Sequence, residues 1–120
     1  MSKQSKPFTQ RQLRVGEMIK QALSMIFLRD EAKLPNVETN RITVTEVRMS
    51  PDLKTAKAFV LPLGGKEADD VINKLKEFSF IIRKTLSKKI TVKFLPKLYF
   101  IKDESFDYAE KNWKLNKTNI

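Results

Sequence analysis

The chain has 120 residues, of which 41% are hydrophobic and 32% charged. That is about one domain with enough apolar residues for a core, and it needs no covalent staple. There is no Cys and no His, which rules out disulfides, thiolate metal sites, thiol nucleophiles and the commonest general base. Lys and Arg outnumber Asp and Glu by 24 to 14, a net charge of +10 that favours polyanionic partners. A lysine-rich coat kept only for solubility is the plainer alternative. No apolar run approaches the roughly 20 residues of a membrane span. The first residues carry no secretory signal, so a cytoplasmic protein with no membrane partner is expected.

Residues 1–7 read as a mobile basic arm carrying Lys3 and Lys6. A helix is predicted over 9–29. Thr9 and Gln12 have the spacing of a capping box, and Phe8 with Leu13 that of a hydrophobic staple. Val15, Met18, Ile19, Ala22, Leu23 and Ile26 make one apolar face. Pro35 and Asn36 mark 30–41 as a loop. The Val, Ile and Thr content of 42–49 predicts a strand. Ser50-Pro51-Asp52 is turn chemistry, and 55–63 is a second strand, close enough to form an antiparallel hairpin.

Pro62, Gly64 and Gly65 end that strand. Helical periodicity then runs from 66 to 89, with Glu67, Asp69 and Asp70 in the first turn where the helix dipole favours acids. One straight helix of that length would span about 36 Å, as wide as the whole domain. A straight axis would also leave Phe80 and Ile81 off the apolar stripe. A break near Phe78–Phe80 is therefore expected, made without positive φ. Residues 91–101 alternate as a third strand, with Phe94 inward and Tyr99 on the polar face. Residues 107–120 read as a flexible tail holding Trp113, a ring that stacks on a base, docks on protein or stays disordered. There are no internal repeats.

The charge is segregated. Seven basic residues and no acid lie from Phe80 through Lys102, and Lys3, Lys6, Arg11 and Arg14 precede the first acid. Phosphates require charge at intervals and no catalytic geometry. The candidate RNA-binding residues are Arg11, Arg14, Ser79, Arg83, Lys84, Lys88, Lys89, Lys93 and Lys97. Helix C-terminal complementation accounts for Lys88 and Lys89 alone. No Walker sequence, dinucleotide fingerprint or metal-ligand cluster is present, so a non-enzymatic chain with no catalytic residue, cofactor or metal is expected. A nucleoid or other DNA-binding protein shares the charge but lacks an evident recognition helix. A module that meets an acidic protein partner is a third reading.

Three segments carry a resemblance to a known family. They are Arg14-Val15-Gly16-Glu17 through Ile26, then Ile42 to Val47 with Ser50-Pro51-Asp52-Leu53-Lys54-Thr55-Ala56-Lys57-Ala58, then Leu95-Pro96-Lys97-Leu98-Tyr99-Phe100 leading to Asp103 and Ser105. In this order and spacing, residues 9–106 resemble ribosome-binding factor A. The resemblance implies an α+β fold, a single type II KH-like domain over 8–106 ordered α-β-β-α-α-β, with a three-stranded sheet covered by helices. It implies a monomer that binds the free small (30S) ribosomal subunit and its rRNA, assists late maturation and processing of 16S-type rRNA, and serves adaptation to cold. KH domains clamp nucleic acid with a Gly-x-x-Gly loop between two helices. The family has an Ala-x-Gly kink there, and this chain has Phe78-Ser79-Phe80.

Overall fold

The structure is a computed structural model and describes residues 7–63 and 68–105. The arm before Pro7 and the tail from 106 lie outside the described residues. The elements are α1 (Gln10–Leu28), a short 3-10 turn (Thr39–Arg41), β1 (Ile42–Met49), β2 (Thr55–Pro62), α2 (Ala68–Glu77), α3 (Ser79–Ser87) and β3 (Lys97–Lys102). The fold is α+β in the expected order.

The capping box forms. Thr9 Oγ1 accepts from the Gln12 amide at 3.1 Å, and Gln12 Oε1 accepts from the Thr9 amide at 2.8 Å. Gln12 is buried, and its side-chain amide donates to the Met49 carbonyl at 3.0 Å. One residue thus caps α1 and ties it to the end of β1. The staple contributes less than expected, because Phe8 and Leu13 stay exposed.

β1 and β2 pair antiparallel from Ile42 opposite Pro62 to Met49 opposite Ala56, with a bulge between Val44 and Glu46. The bulge sets the burial phase. Ile42 and Val44 face the core before it, and Val47 and Met49 after it. Strict alternation from Val44 would have turned Glu46 and Arg48 inward, where an unpaired charge is costly. Thr45, the extra residue, donates its hydroxyl to the Phe59 carbonyl at 3.2 Å.

β3 pairs parallel with β2, giving the order β1-β2-β3. A parallel neighbour needs a long crossover, and α2 and α3 lie in it. The inward residues of all three strands are buried with Ile19, Leu23, Leu75, Ile82 and Leu86 of the helices. Phe27 and Phe100 meet in this core with ring centroids 6.2 Å apart. Outward residues such as Thr43, Arg48, Lys57, Lys97 and Tyr99 are exposed, so the helices cover one sheet face and leave the other open.

Two expectations need correction. β3 begins at Lys97, not at 91, because its ladder begins where β2 does: Thr55 is the partner of Lys97, and Pro96 before it has no amide to donate. Phe94 therefore lies outside the strand and is 74% exposed, not inward. The helical region is broken at Phe78, as expected, with φ −100° and ψ 18°. The link is a tightened turn in which the Ile81 amide reaches the Phe78 carbonyl at 3.0 Å. The break does not bury Phe80, however, which remains 68% exposed.

The packing of α1 and the end of β3 each lead to a test. A Cβ added at Gly16 would lie 2.7 Å from the backbone oxygen of Val47. Gly16→Ala should therefore cost about 1–2 kcal/mol by chemical denaturation, despite a gain of about 1 kcal/mol in helix propensity. Asp103 accepts from the Ser105 hydroxyl at 2.6 Å and its amide at 2.9 Å. The Ser105 hydroxyl first, then the Thr45 hydroxyl and the Ser105 amide, hold its carboxyl below the usual range. A depressed folded pKa adds stability that is present above the unfolded value of about 3.9 and lost as pH falls through the folded one. Asp103→Asn should flatten that acid limb in melts taken between about pH 5 and pH 2.

A candidate nucleic-acid interface

β3 is an edge strand, and the break between α2 and α3 sits beside it. Between them opens a groove of about 740 Å³. Lys76 from the last turn of α2, with Ser79, Phe80 and Arg83 from α3 beyond the break, forms its helical wall, Ser79 and Phe80 standing four and three residues before Arg83 on one face. Lys97, Tyr99 and Ile101 come from β3, and the parallel register sets Lys57 of β2 opposite Tyr99. Four cations and no acid line the groove.

Of the residues singled out from sequence, Ser79, Arg83 and Lys97 meet here. Arg83 is held: its guanidinium donates to the Leu95 carbonyl at 2.7 Å and the Pro96 carbonyl at 3.0 Å. It pins the segment that leads into β3 to the wall of α3. The other candidates lie elsewhere. Lys84 is exposed on α3, and Lys88 is that helix's C-cap. The Lys89 side chain is 29% exposed and forms an ion pair with Glu31 at 2.7 Å. Lys93 lies in the segment before β3 with its ammonium 5.5 Å from the Phe94 ring centre. Arg11 and Arg14 are exposed near the start of α1.

Lys57, Lys76 and Phe80 were not among the sequence candidates. Phe80 stands three residues before Arg83 within α3, which was a readable signal for it, whereas the break at Phe78 removes any helical spacing from Lys76. Lys57 had none, because its place depends on a strand about forty residues away in sequence.

A second cavity of about 750 Å³ lies between α2 and the open ends of β1 and β2. Glu38, Asp70 and Glu77 line it together with Arg41 and Lys74. Its acids oppose a polyanion, so charge and not size distinguishes the two sites. On the open sheet face Arg48 is paired with Glu46 at 2.8 Å and lies 4.9 Å above the Phe59 ring. The hydrogen bond to Glu46 raises the Arg48 pKa further. No group of three acids that would hold a metal ion occurs among the described residues, and none of their helices is long and apolar enough to cross a membrane.

The clamp makes Arg83 a support of the groove. Arg83→Met keeps the apolar stem and removes the donors. It should cost about 1–2 kcal/mol and speed amide hydrogen exchange across 97–102, read residue by residue by NMR.

Comparison with known proteins bears on the groove's owner. The family profile described as Ribosome-binding factor A matches residues 11–115. A protein of that name from Pelagibacter ubique is 72% identical over 106 residues, covering 88% of this chain and 87% of that one. The fold is similar to the crystal structure of ribosome-binding factor A from Thermus thermophilus, with 20% identity, a TM-score of 0.59, and 76% and 94% of the two chains covered. It is also similar to a homology model of Thermus thermophilus ribosome binding factor A as fitted into the cryo-EM map of a 30S–RbfA complex, at 20% identity and a TM-score of 0.60, with 78% and 96% covered. At these identities the structural likeness is one of fold.

Proposed function

The chain belongs to the ribosome-binding factor A family, and from that footing we propose that it binds the free small ribosomal subunit in the cytoplasm and assists late maturation and processing of its rRNA. It does so as a monomer and without chemistry, holding RNA phosphates in the groove beside β3. The observation that carries this reading is the groove's charge: Lys57, Lys76, Arg83 and Lys97 with no acid among them. The likeness to a ribosome binding factor A homology model fitted into the map of a 30S–RbfA complex supports the partner. On this reading the KH-like unit is 8–106, with the Phe78–Phe80 break in the place of a Gly-x-x-Gly loop. Phosphate contact then comes from side chains, since no glycine lets the backbone approach closely at the break.

Exposed lysines add little to stability and much to phosphate affinity. Lys57→Glu with Lys76→Glu and Lys97→Glu should leave the melting temperature near that of the parent. The same triple change should abolish co-sedimentation with free small subunits in moderate salt. The corresponding alanine variant should reduce the salt slope of RNA binding by about 2, as expected for three lost phosphate contacts. A charge-reversed variant that still travels with the subunit would place the RNA face elsewhere, with Arg11, Arg14, Lys84, Lys88 and Lys93 the next surface to test. Capture that survives ribonuclease and is lost to deoxyribonuclease would favour the DNA-binding alternative.

A further inference from the structure

The open face of the sheet carries an apolar patch. Phe59 and Leu61 of β2 and Ile101 of β3 alternate with the buried Ala58, Val60 and Phe100, so they point to the face without helices. Phe59 and Ile101 are ladder partners. All three are half-buried, yet none belongs to the core or to the residues packed against it. Arg48 lies 4.9 Å from the Phe59 ring centre and borders the patch. Single apolar residues on a surface are ordinary. A group of three adjoining ones on an open sheet face marks a surface that takes a partner.

The chain leaves β3 beside this patch. The Asp103 amide donates to the Val60 carbonyl at 2.8 Å, and its side chain keeps the outward phase of Tyr99 and Ile101. Its carboxylate lies near Thr45 and Arg48 of β1, both of which favour its charged form. The same carboxylate accepts from the Ser105 amide and hydroxyl, the arrangement of a helix N-cap, and Ser105 is helical. The sequence beyond extends that signal. Glu104, Asp107 and Glu110 come first and Lys111 and Lys114 follow, which matches a helix dipole. Phe106, Ala109 and Trp113 stand at i, i+3 and i+7, one face of a helix. A helix this short is marginal in water unless its apolar face is buried.

We infer that residues 104–115 form a helix that lies across the open sheet face, with Phe106, Ala109 and Trp113 on Phe59, Leu61 and Ile101. This replaces the free tail expected from sequence and does not depend on the RNA reading. The dimensions agree. Such a helix runs about 18 Å, and three strands span about 10 Å between the outer two. Ala109 between two rings lets the helix axis approach the sheet. The acids at its start meet Arg48 at the border of the patch. Attachment at the edge of the patch gives the segment an effective concentration of about millimolar or more, so it outcompetes a second copy of the chain at ordinary concentrations.

Trp113 is the chain's one tryptophan, so the full chain without RNA carries its own probe. Its emission should lie at shorter wavelength than in denaturant, and acrylamide should quench it less. NMR should show nuclear Overhauser contacts from the indole to the Leu61 and Ile101 methyls. Ala109→Glu, on the apolar face, and Ile101→Lys, on the sheet, should each return the emission to its position in denaturant. Lys111→Gln, on the far side of the helix, should leave it unchanged. A chain ended after Ser105 should melt at least about 4 °C below the full chain. Thermal melts of each variant separate unfolding from release, and the indole contacts in the unaltered chain decide the matter should Ile101→Lys fail to fold. An indole quenched in the folded chain as in denaturant overturns the inference. So does an indole that stays shielded in folded Ala109→Glu or Ile101→Lys, which places it elsewhere. A blue shift that appears only at high protein concentration, with a dimer in sedimentation velocity, assigns the patch to a second copy. One that appears only on adding small subunits assigns the segment to the ribosome, and either result overturns the inference.

Discussion

The Arg83 guanidinium donates to two successive carbonyls, those of Leu95 and Pro96. The next residue, Lys97, donates its amide to Lys54 and opens the ladder with β2. These three bonds hold the start of β3 between α3 on one side and β2 on the other. Every feature of the groove depends on that placement. The register set there puts Lys57 beside Tyr99, and the alternation it starts sends Leu98 and Phe100 into the core and Lys97 and Tyr99 outward. A planar donor fork that spans neighbouring carbonyls suits this task better than an ammonium would. Arg83 is therefore both part of the groove's positive wall and the brace of the strand opposite.

Elements built from local signals were legible in the sequence. The Thr9 and Gln12 pair marked the start of α1, and the composition of 42–49 and 55–63 with the Ser50-Pro51-Asp52 turn marked a hairpin. Those signals act within a few residues. The start of β3 was not legible, because the stretch before it looks like strand: Val92, Phe94 and Leu95 have the composition and near-alternation of one. What ends the strand at Lys97 is the lack of a partner, for β2 offers nothing before Thr55. Strand identity is a property of a pair, and here the pair is parallel and separated by two helices. The bulge at Thr45 shows the converse. The apolar positions 42, 44, 47 and 49 already record a change of phase, so it was written locally, although it becomes intelligible only when the core is seen to exclude Glu46 and Arg48.

The site was legible in part for the same reason. Ser79, Arg83 and Lys97 lie in or beside a basic run conspicuous along the chain, whereas Lys57 enters only through the sheet. Charge counted along the sequence also overstates what is available. Lys89 belongs to that run, yet it is committed to Glu31 and closes the loop after α1 against the end of α3. Arg48 is neutralised by Glu46 two residues away. Folding therefore sorts a net charge of +10 into cations held by acids, cations used as braces and cations left facing solvent.

The break at Phe78 shows how one position serves both fold and groove. A glycine in such a kink supplies freedom to reach positive φ, but Phe78 stays at negative φ and the turn is tightened instead, through the Ile81 amide on the Phe78 carbonyl. Phe78 and Ile81 then pack partly against the core, while Phe80 between them is turned out. The usual gain from bending a helix over an apolar run is that every large residue finds cover. Here one does not, and it faces the groove beside an edge strand. Backbone approach, which a glycine would have allowed, is exchanged for an aromatic surface at the same place. The break thus presents a ring, not bare amides, to the groove, with Lys57, Lys76 and Lys97 around it.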